Sequence, residues 1–181
     1  MGHKRKDWVV IENLIDTILN NVEGCVVEIG IGVSTTILLE HATKLGIKLI
    51  SCDINKKKCD WAKKLGVSEV YEGKSLDFIQ QFPDVSVALV LVDGDHRYPT
   101  VIEEVNFFLS KLSPGGVIFM HDTLKPSWDA VYGKVTSDSY LVRQEMEERD
   151  DLMTFTWPYT AYNYGLTMLM LKEKNVPKFR R

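Results

Sequence analysis

Three cysteines in 181 residues, Cys25, Cys52 and Cys59, are an odd number and form neither a disulfide framework nor a paired-cysteine zinc motif. Two of them fall in apolar, strand-like segments, where a free thiol packs as a small hydrophobe. No apolar run is long enough to span a bilayer, and the polar N-terminus lacks the apolar core of a secretory signal. These absences exclude a disulfide scaffold and a membrane partner, and they predict a cytoplasmic protein. Charge of one sign is also missing: 22 basic against 25 acidic residues give a net charge of −3. Without a basic stripe, no nucleic-acid partner is expected. The short clusters Lys4-Arg5-Lys6, Lys56-Lys57-Lys58 and Arg180-Arg181 read as solvated surface. Repeats, low-complexity tracts and linkers are absent too, which predicts one domain over residues 1–181. Its parts are an N-terminal helix (1–24), a core (25–172) and a tail (173–181).

What the chain does have is a 45% hydrophobic content arranged in two alternating periods. Trp8, Ile11, Leu14, Ile15 and Ile18 recur at helical spacing behind Asp7, an expected N-cap. Strands are expected at Cys25–Gly30, up to Ile54, at Val67–Tyr71, at Val85–Asp93 and at Val117–Met120. Helices are expected between them, at Ser34–Leu45, Lys56–Leu65 and Ser75–Phe82. A fourth should open on a Thr100/Glu103 capping box and end at Ser113-Pro114-Gly115-Gly116. The stretch after Asp122 is loop-like, followed by a helix near Tyr140–Arg149. Leu152–Trp157 and Leu166–Leu171 lie close enough to form an antiparallel hairpin. Strands alternating with helices predict an α/β chain with a parallel, doubly wound sheet.

Each apolar strand runs into residues capable of chemistry: Glu28-Ile29-Gly30-Ile31-Gly32, Asp53, Asp93-Gly94-Asp95-His96 and His121-Asp122. In an open parallel sheet these strand ends share one carboxyl edge, outside which ligands bind. Gly30-Ile31-Gly32-Val33-Ser34-Thr35 joins a strand to a helix, where a backbone can approach a ligand closely. A dinucleotide fingerprint would place a third glycine where Thr35 stands, which argues against a pyrophosphate on this helix. Glu28 favours a ligand group that is cationic or donates hydrogen bonds. Asp53, about 20 residues beyond the glycines, occupies the position where a carboxylate accepts from a ribose diol, or else caps the next helix. Ser75 either contacts adenine or caps its own helix. His41, near an apolar helix stripe, reads as structural.

These motifs, together with Gly115-Gly116-Val117-Ile118-Phe119-Met120-His121-Asp122-Thr123, resemble the class I S-adenosylmethionine-dependent methyltransferases over residues 25–172. Within them the chain is most similar to the small O-methyltransferase group that includes catechol, caffeoyl-coenzyme A and bacterial sugar O-methyltransferases. The resemblance implies a Rossmann-like seven-stranded sheet of order 3-2-1-4-5-7-6 with the last strand antiparallel. It also implies S-adenosylmethionine as cofactor, contacted by Glu28, Gly30, Gly32, Ser34, Asp53, Ile54, Ser75 and Asp93. Asp93, His121 and Asp122 correspond to the group's ligands for a divalent cation, magnesium or manganese, although His121 stands where an acid is usual. His96 corresponds to the group's general base, often a lysine, and Asp93 lies beside it at the catalytic centre.

Three readings follow. The first is O-methylation of a small-molecule hydroxyl, with or without a metal. The second is an NAD-dependent oxidoreductase, against which Thr35 and the terminal hairpin count. The third is a non-catalytic cofactor-binding or interaction module. Trp128, Tyr132, Trp157, Tyr159, Tyr162 and Tyr164 are candidate walls for an acceptor. No large insertion covers the sheet edge, so acceptor selection falls to the first helix, the 123–140 stretch, the 158–165 loop or a homodimer partner.

Overall fold

The computed structural model describes residues 6–124, 138–158 and 165–172. The expected acceptor walls at Trp128, Tyr132, Tyr159, Tyr162 and Tyr164 lie outside those residues, as does the 173–181 tail. In chain order the elements are α1 (Lys6–Asn21), β1 (Cys25–Ile29), α2 (Val33–Leu45), β2 (Leu49–Asp53), α3 (Lys56–Leu65), β3 (Glu69–Glu72) and α4 (Ser75–Gln80). They continue with β4 (Val87–Val92), α5 (Tyr98–Leu109), β5 (Leu112–His121), α6 (Ser139–Glu147), β6 (Leu152–Trp157) and β7 (Leu166–Leu171).

Seven strands form one sheet of order β3-β2-β1-β4-β5-β7-β6. The first five pair in parallel, and β7 runs antiparallel to both its neighbours. Because β1, β2, β4 and β5 run the same way, Ile29, Asp53, Val92 and His121 all end at one edge.

The period-two alternation assigns side chains to the two faces. Leu89, Leu91, Val117 and Phe119 pack on one side with Trp8, Ile11, Ile15 and Leu19 of α1, Leu38 of α2 and Ala62 of α3. Val90, Val92, Ile118 and Met120 pack on the other with Phe78 of α4, Val105 and Phe108 of α5, and Val142 and Met146 of α6. All six residues of β4 are buried, as its unbroken apolar run requires for a central strand covered on both faces. Fully burying a Val or Leu side chain stabilises by roughly 1.5–3 kcal/mol, so this strand anchors the sheet.

Several boundaries differ from the sequence reading for local reasons. The expected capping box at Thr100 is not used. Helix α5 starts earlier, after Arg97, with Pro99 in its first turn, where a missing N–H costs nothing. Ser113-Pro114-Gly115-Gly116 does not end that helix but lies inside β5. There Leu112 pairs with Val87 and Val117 with Leu89, so five steps along β5 oppose two along β4. This is a bulge, and a Cβ on Gly116 would stand only 3.0 Å from the Val87 carbonyl oxygen. Helix α1 begins at Lys6, which puts Asp7 inside its first turn rather than ahead of it. His41 is structural, as expected: its Nδ1 meets Asp16 Oδ1 at 2.6 Å while Lys44 reaches the other oxygen at 2.9 Å, tying α2 to α1.

Candidate active site

The turn after β1 is set by crowding. Gly30 adopts φ +93°, and a Cβ there would lie 2.1 Å from the Asp93 carbonyl oxygen, so no other residue fits. The Asp93 N–H donates to the Ile29 carbonyl at 2.8 Å, and the Gly30 N–H to the Cys52 carbonyl at 2.9 Å. Three strand ends are thereby fastened together. Gly32, by contrast, faces open space.

Glu28 is fully buried beneath this turn. Its carboxylate accepts hydrogen bonds from Ser34 Oγ (2.7 Å), Ser51 Oγ (2.8 Å) and Thr35 Oγ1 (2.9 Å). Burial pushes its pKa up to about 7, against the three hydroxyls, which pull it back down. The Gly32 N–H donates to Thr35 Oγ1 at 3.0 Å. Thr35, where a dinucleotide site would have glycine, thus links the buried acid to the loop backbone. Glu28 and Ser34 are turned into this network and hold the loop from below.

A cleft of about 970 Å³ opens above the edge, and Gly30, Asp53, Ile54, Ser75 and Asp93 all line it. Asp53 is 9% exposed. It accepts from the Ile31 N–H at 2.9 Å, from the Asn55 N–H at 2.7 Å and from Lys58 Nζ at 3.1 Å. The cap of α3 is not Asp53 but Asn55, whose side chain accepts from the N–H groups of Lys57 and Lys58. Ile54 stands 74% exposed at the rim, an apolar surface with no neighbour in the core. Ser75 is the first residue of α4, ahead of Glu104 on α5. Glu104 is fully buried, and neither of its oxygens has a hydrogen-bond partner among the described residues. Burial raises its pKa to about 8, offset only in part by the nearby Ser75 hydroxyl.

At the other end of the edge, two histidines and two aspartates converge. His121 Nδ1 lies 3.0 Å from Asp93 Oδ1 and 2.9 Å from Asp122 Oδ1. His96 Nε2 lies 3.4 Å from Asp122 Oδ2 and 3.8 Å from Asp93 Oδ1, and its Nδ1 is 3.5 Å from Ser139 Oγ. Asp122 has φ 57°, a left-handed conformation that aspartate tolerates better than most side chains. The segment is pinned just beyond, where the Thr167 hydroxyl donates to Thr123 Oγ1 at 2.7 Å and Arg143 Nε donates to the Thr123 carbonyl at 2.9 Å. Asp95 points away to Arg97 and Thr100, and the Arg97 guanidinium holds its carboxyl below the usual range.

The trio Asp93, His121 and Asp122 does not fit the divalent cation expected of it. His121 Nδ1 stands beside one oxygen of each carboxylate, where a hydrogen on the nitrogen is favoured over a bare lone pair facing two acceptors. A nitrogen that carries hydrogen has no lone pair to give a metal. Among the described residues no three His, Cys, Asp or Glu side chains are disposed to share an ion. Sequence spacing did not reveal what holds the histidine this way. Trp8 of α1 stacks on the His121 ring, with centroids 5.1 Å apart and planes 12° from parallel. Lys58 on Asp53 and the buried Glu104 were missed as well. Trp8 was legible as core, Lys58 as surface, and Glu104 carried no signal beyond its place on α5.

Residues 27–123 match a family model described as a methyltransferase domain. No curated protein matches the sequence. Among solved structures, an O-methyltransferase from Bacillus cereus in complex with SAH superimposes with a TM-score of 0.73 at 16% identity. That match covers 94% of this chain and 83% of the other. The O-methyltransferase TomG from Streptomyces achromogenes, in complex with SAM, gives 0.66 at 15% identity, covering 95% and 82%. The MycE methyltransferase of mycinamycin biosynthesis, in complex with Mg and SAH, gives 0.66 at 13% identity. There 99% of this chain spans 54% of the other. At such identities the likeness is one of fold.

Proposed function

We infer the reaction from a chain that belongs to the methyltransferase-domain family, its model matching residues 27–123: transfer of a methyl group from S-adenosylmethionine to a small-molecule hydroxyl. The core is residues 25–172, with the first helix ahead of it. The observation that carries the reading is the cleft itself, which brings the carboxylates of Asp53 and Asp93 to a turn whose Gly30 is too crowded for any side chain.

The cleft residues fit this cofactor. Asp53 lines the cleft, and a ribose diol would take the place of Lys58 on its Oδ2. Ile54 offers an apolar face and Ser75 a hydroxyl to a purine. Gly30 lets the backbone approach the amino-acid end. When bound, S-adenosylmethionine supplies an electrophilic methyl on a sulfonium that leaves as a neutral thioether. The protein's share is therefore mostly orientation and removal of one proton.

His96 is the group for that proton. It is part-exposed, next in the chain to cleft-lining Asp95 and Arg97, and two carboxylates beside it stabilise the imidazolium formed. His121, 4% exposed, is closed off from an acceptor. The acceptor hydroxyl lies near His96 Nε2.

Calorimetric titration tests the reading. The chain is expected to bind S-adenosylmethionine and S-adenosylhomocysteine but not NAD, and Asp53→Ala to weaken both by about tenfold or more, the worth of a lost charge-assisted hydrogen bond. NAD binding, or no binding of either sulfur compound, overturns it.

A further inference from the structure

Asp93 and Asp122 present two carboxylates to one point at the strand ends, an arrangement that is electrostatically costly unless something positive or donating lies between them. In this chain that place is held by the protein. His121 Nδ1 sits 3.0 Å and 2.9 Å from one oxygen of each, and the nitrogen is shielded from solvent. Resting on the methyltransferase reading, we propose that His121 does the structural work of a divalent cation here, bridging Asp93 and Asp122 through Nδ1, so that the site operates without a metal ion.

Three further observations bear on this. Trp8 covers one face of the ring, with centroids 5.1 Å apart, and the side chain is 4% exposed. The left-handed turn at Asp122 (φ 57°) brings its carboxylate back against the ring of its own chain neighbour. His96 Nε2 lies 3.4 Å from the second oxygen of Asp122. A magnesium ion would need about six oxygen ligands at about 2.1 Å, and the carboxylate oxygens nearest each other already face Nδ1. The acceptor is then oriented by His96 and the carboxylates through hydrogen bonds, and its hydroxyl is activated by proton removal rather than by a Lewis acid.

The test uses the full chain, saturated with S-adenosylhomocysteine, and titrates Mn2+ alone by electron paramagnetic resonance. The wild type is expected to leave Mn2+ free. His121→Asp replaces the bridge by a third carboxylate and should gain one Mn2+ site, tightening binding by at least about tenfold, since ligand charge sets affinity in such sites. The same variant should gain thermal stability on adding Mg2+. Should it not fold, His121→Asn, which also offers an oxygen, carries the same test. One Mn2+ bound per wild-type chain overturns the proposal. So does a folded variant that binds no more Mn2+ than the wild type, since His121 would then not be what excludes the ion. Failure of the cofactor reading is separate: it would appear as absence of S-adenosylhomocysteine binding before any metal is added.

Discussion

At the scale of single residues, the two histidines at the strand ends differ in how far solvent reaches them. His96 is 27% exposed in its side chain, His121 only 4%. A base must meet its proton, so substitution of His96 should strike the chemical step and leave cofactor binding intact. His96→Gln is expected to lower kcat by about 10²–10⁴-fold while the Kd for S-adenosylmethionine stays within about twofold. The measurement pairs calorimetry with transfer of a radiolabelled methyl group to hydroxyl acceptors drawn from a screen. Equal losses in binding and turnover would instead make His96 a cofactor contact. This division between the two histidines was half legible beforehand. Position in the chain assigned both to the edge, but burial is a tertiary property, and only the neighbour stacked on His121 distinguishes them.

At the scale of elements, the turn from β1 into α2 joins the fold to the site. Glu28, Ser34, Thr35 and Ser51 form one buried network between two strands and a helix, and Gly32 hangs from it through the Thr35 hydroxyl. Removing that hydroxyl leaves both an acid and a backbone N–H short of a partner. Thr35→Val should cost about 1–3 kcal/mol in chemical denaturation and weaken cofactor affinity, with Thr35→Ser restoring both. A loss of stability with unaltered affinity would confine the network to a packing role. Element by element, the sequence was informative wherever one rule decided the outcome. Gly46 and Gly66 cap α2 and α3 in left-handed geometry, as glycines after an apolar stripe should. It misled where two rules competed. Pro114-Gly115-Gly116 reads as a breaker, yet in β5 it makes a bulge, because strand pairing on both sides outweighs the local preference.

At the scale of the molecule, two buried carboxyls make stability depend on pH in an unusual direction. Glu104, with a pKa of about 8, and Glu28, at about 7, are both raised above the ordinary value of 4.5 by burial. A carboxyl with a raised folded-state pKa favours folding most below its unfolded value, and that contribution is lost as pH climbs through the folded value. The protein should therefore lose stability between about pH 5 and pH 8. Asp16, Asp84 and Asp95 act oppositely, their paired carboxylates favouring folding above the ordinary aspartate range, but they are exposed or partly so and weigh less. Glu104→Gln keeps the shape without the ionisation. Its Tm should exceed that of the wild type by roughly 5 °C at pH 8.5 and equal it near pH 4.5, read by thermal melts across that range. Parallel curves for the two proteins would show that Glu104 stays neutral or finds a partner when charged.

The stack of Trp8 on His121 also bears on how the chain is made. Helix α1 packs on α2, β4 and β5, so it finds its last seat only when residue 121 has been synthesised. Until then its apolar stripe, Trp8, Ile11 and Ile15, has nothing complete to cover, and nascent chains that end short of β5 expose it. The carboxyl edge exists only when β4 and β5 stand beside β1 and β2 in the sheet. The contacts that build that edge are long in sequence separation, which slows folding.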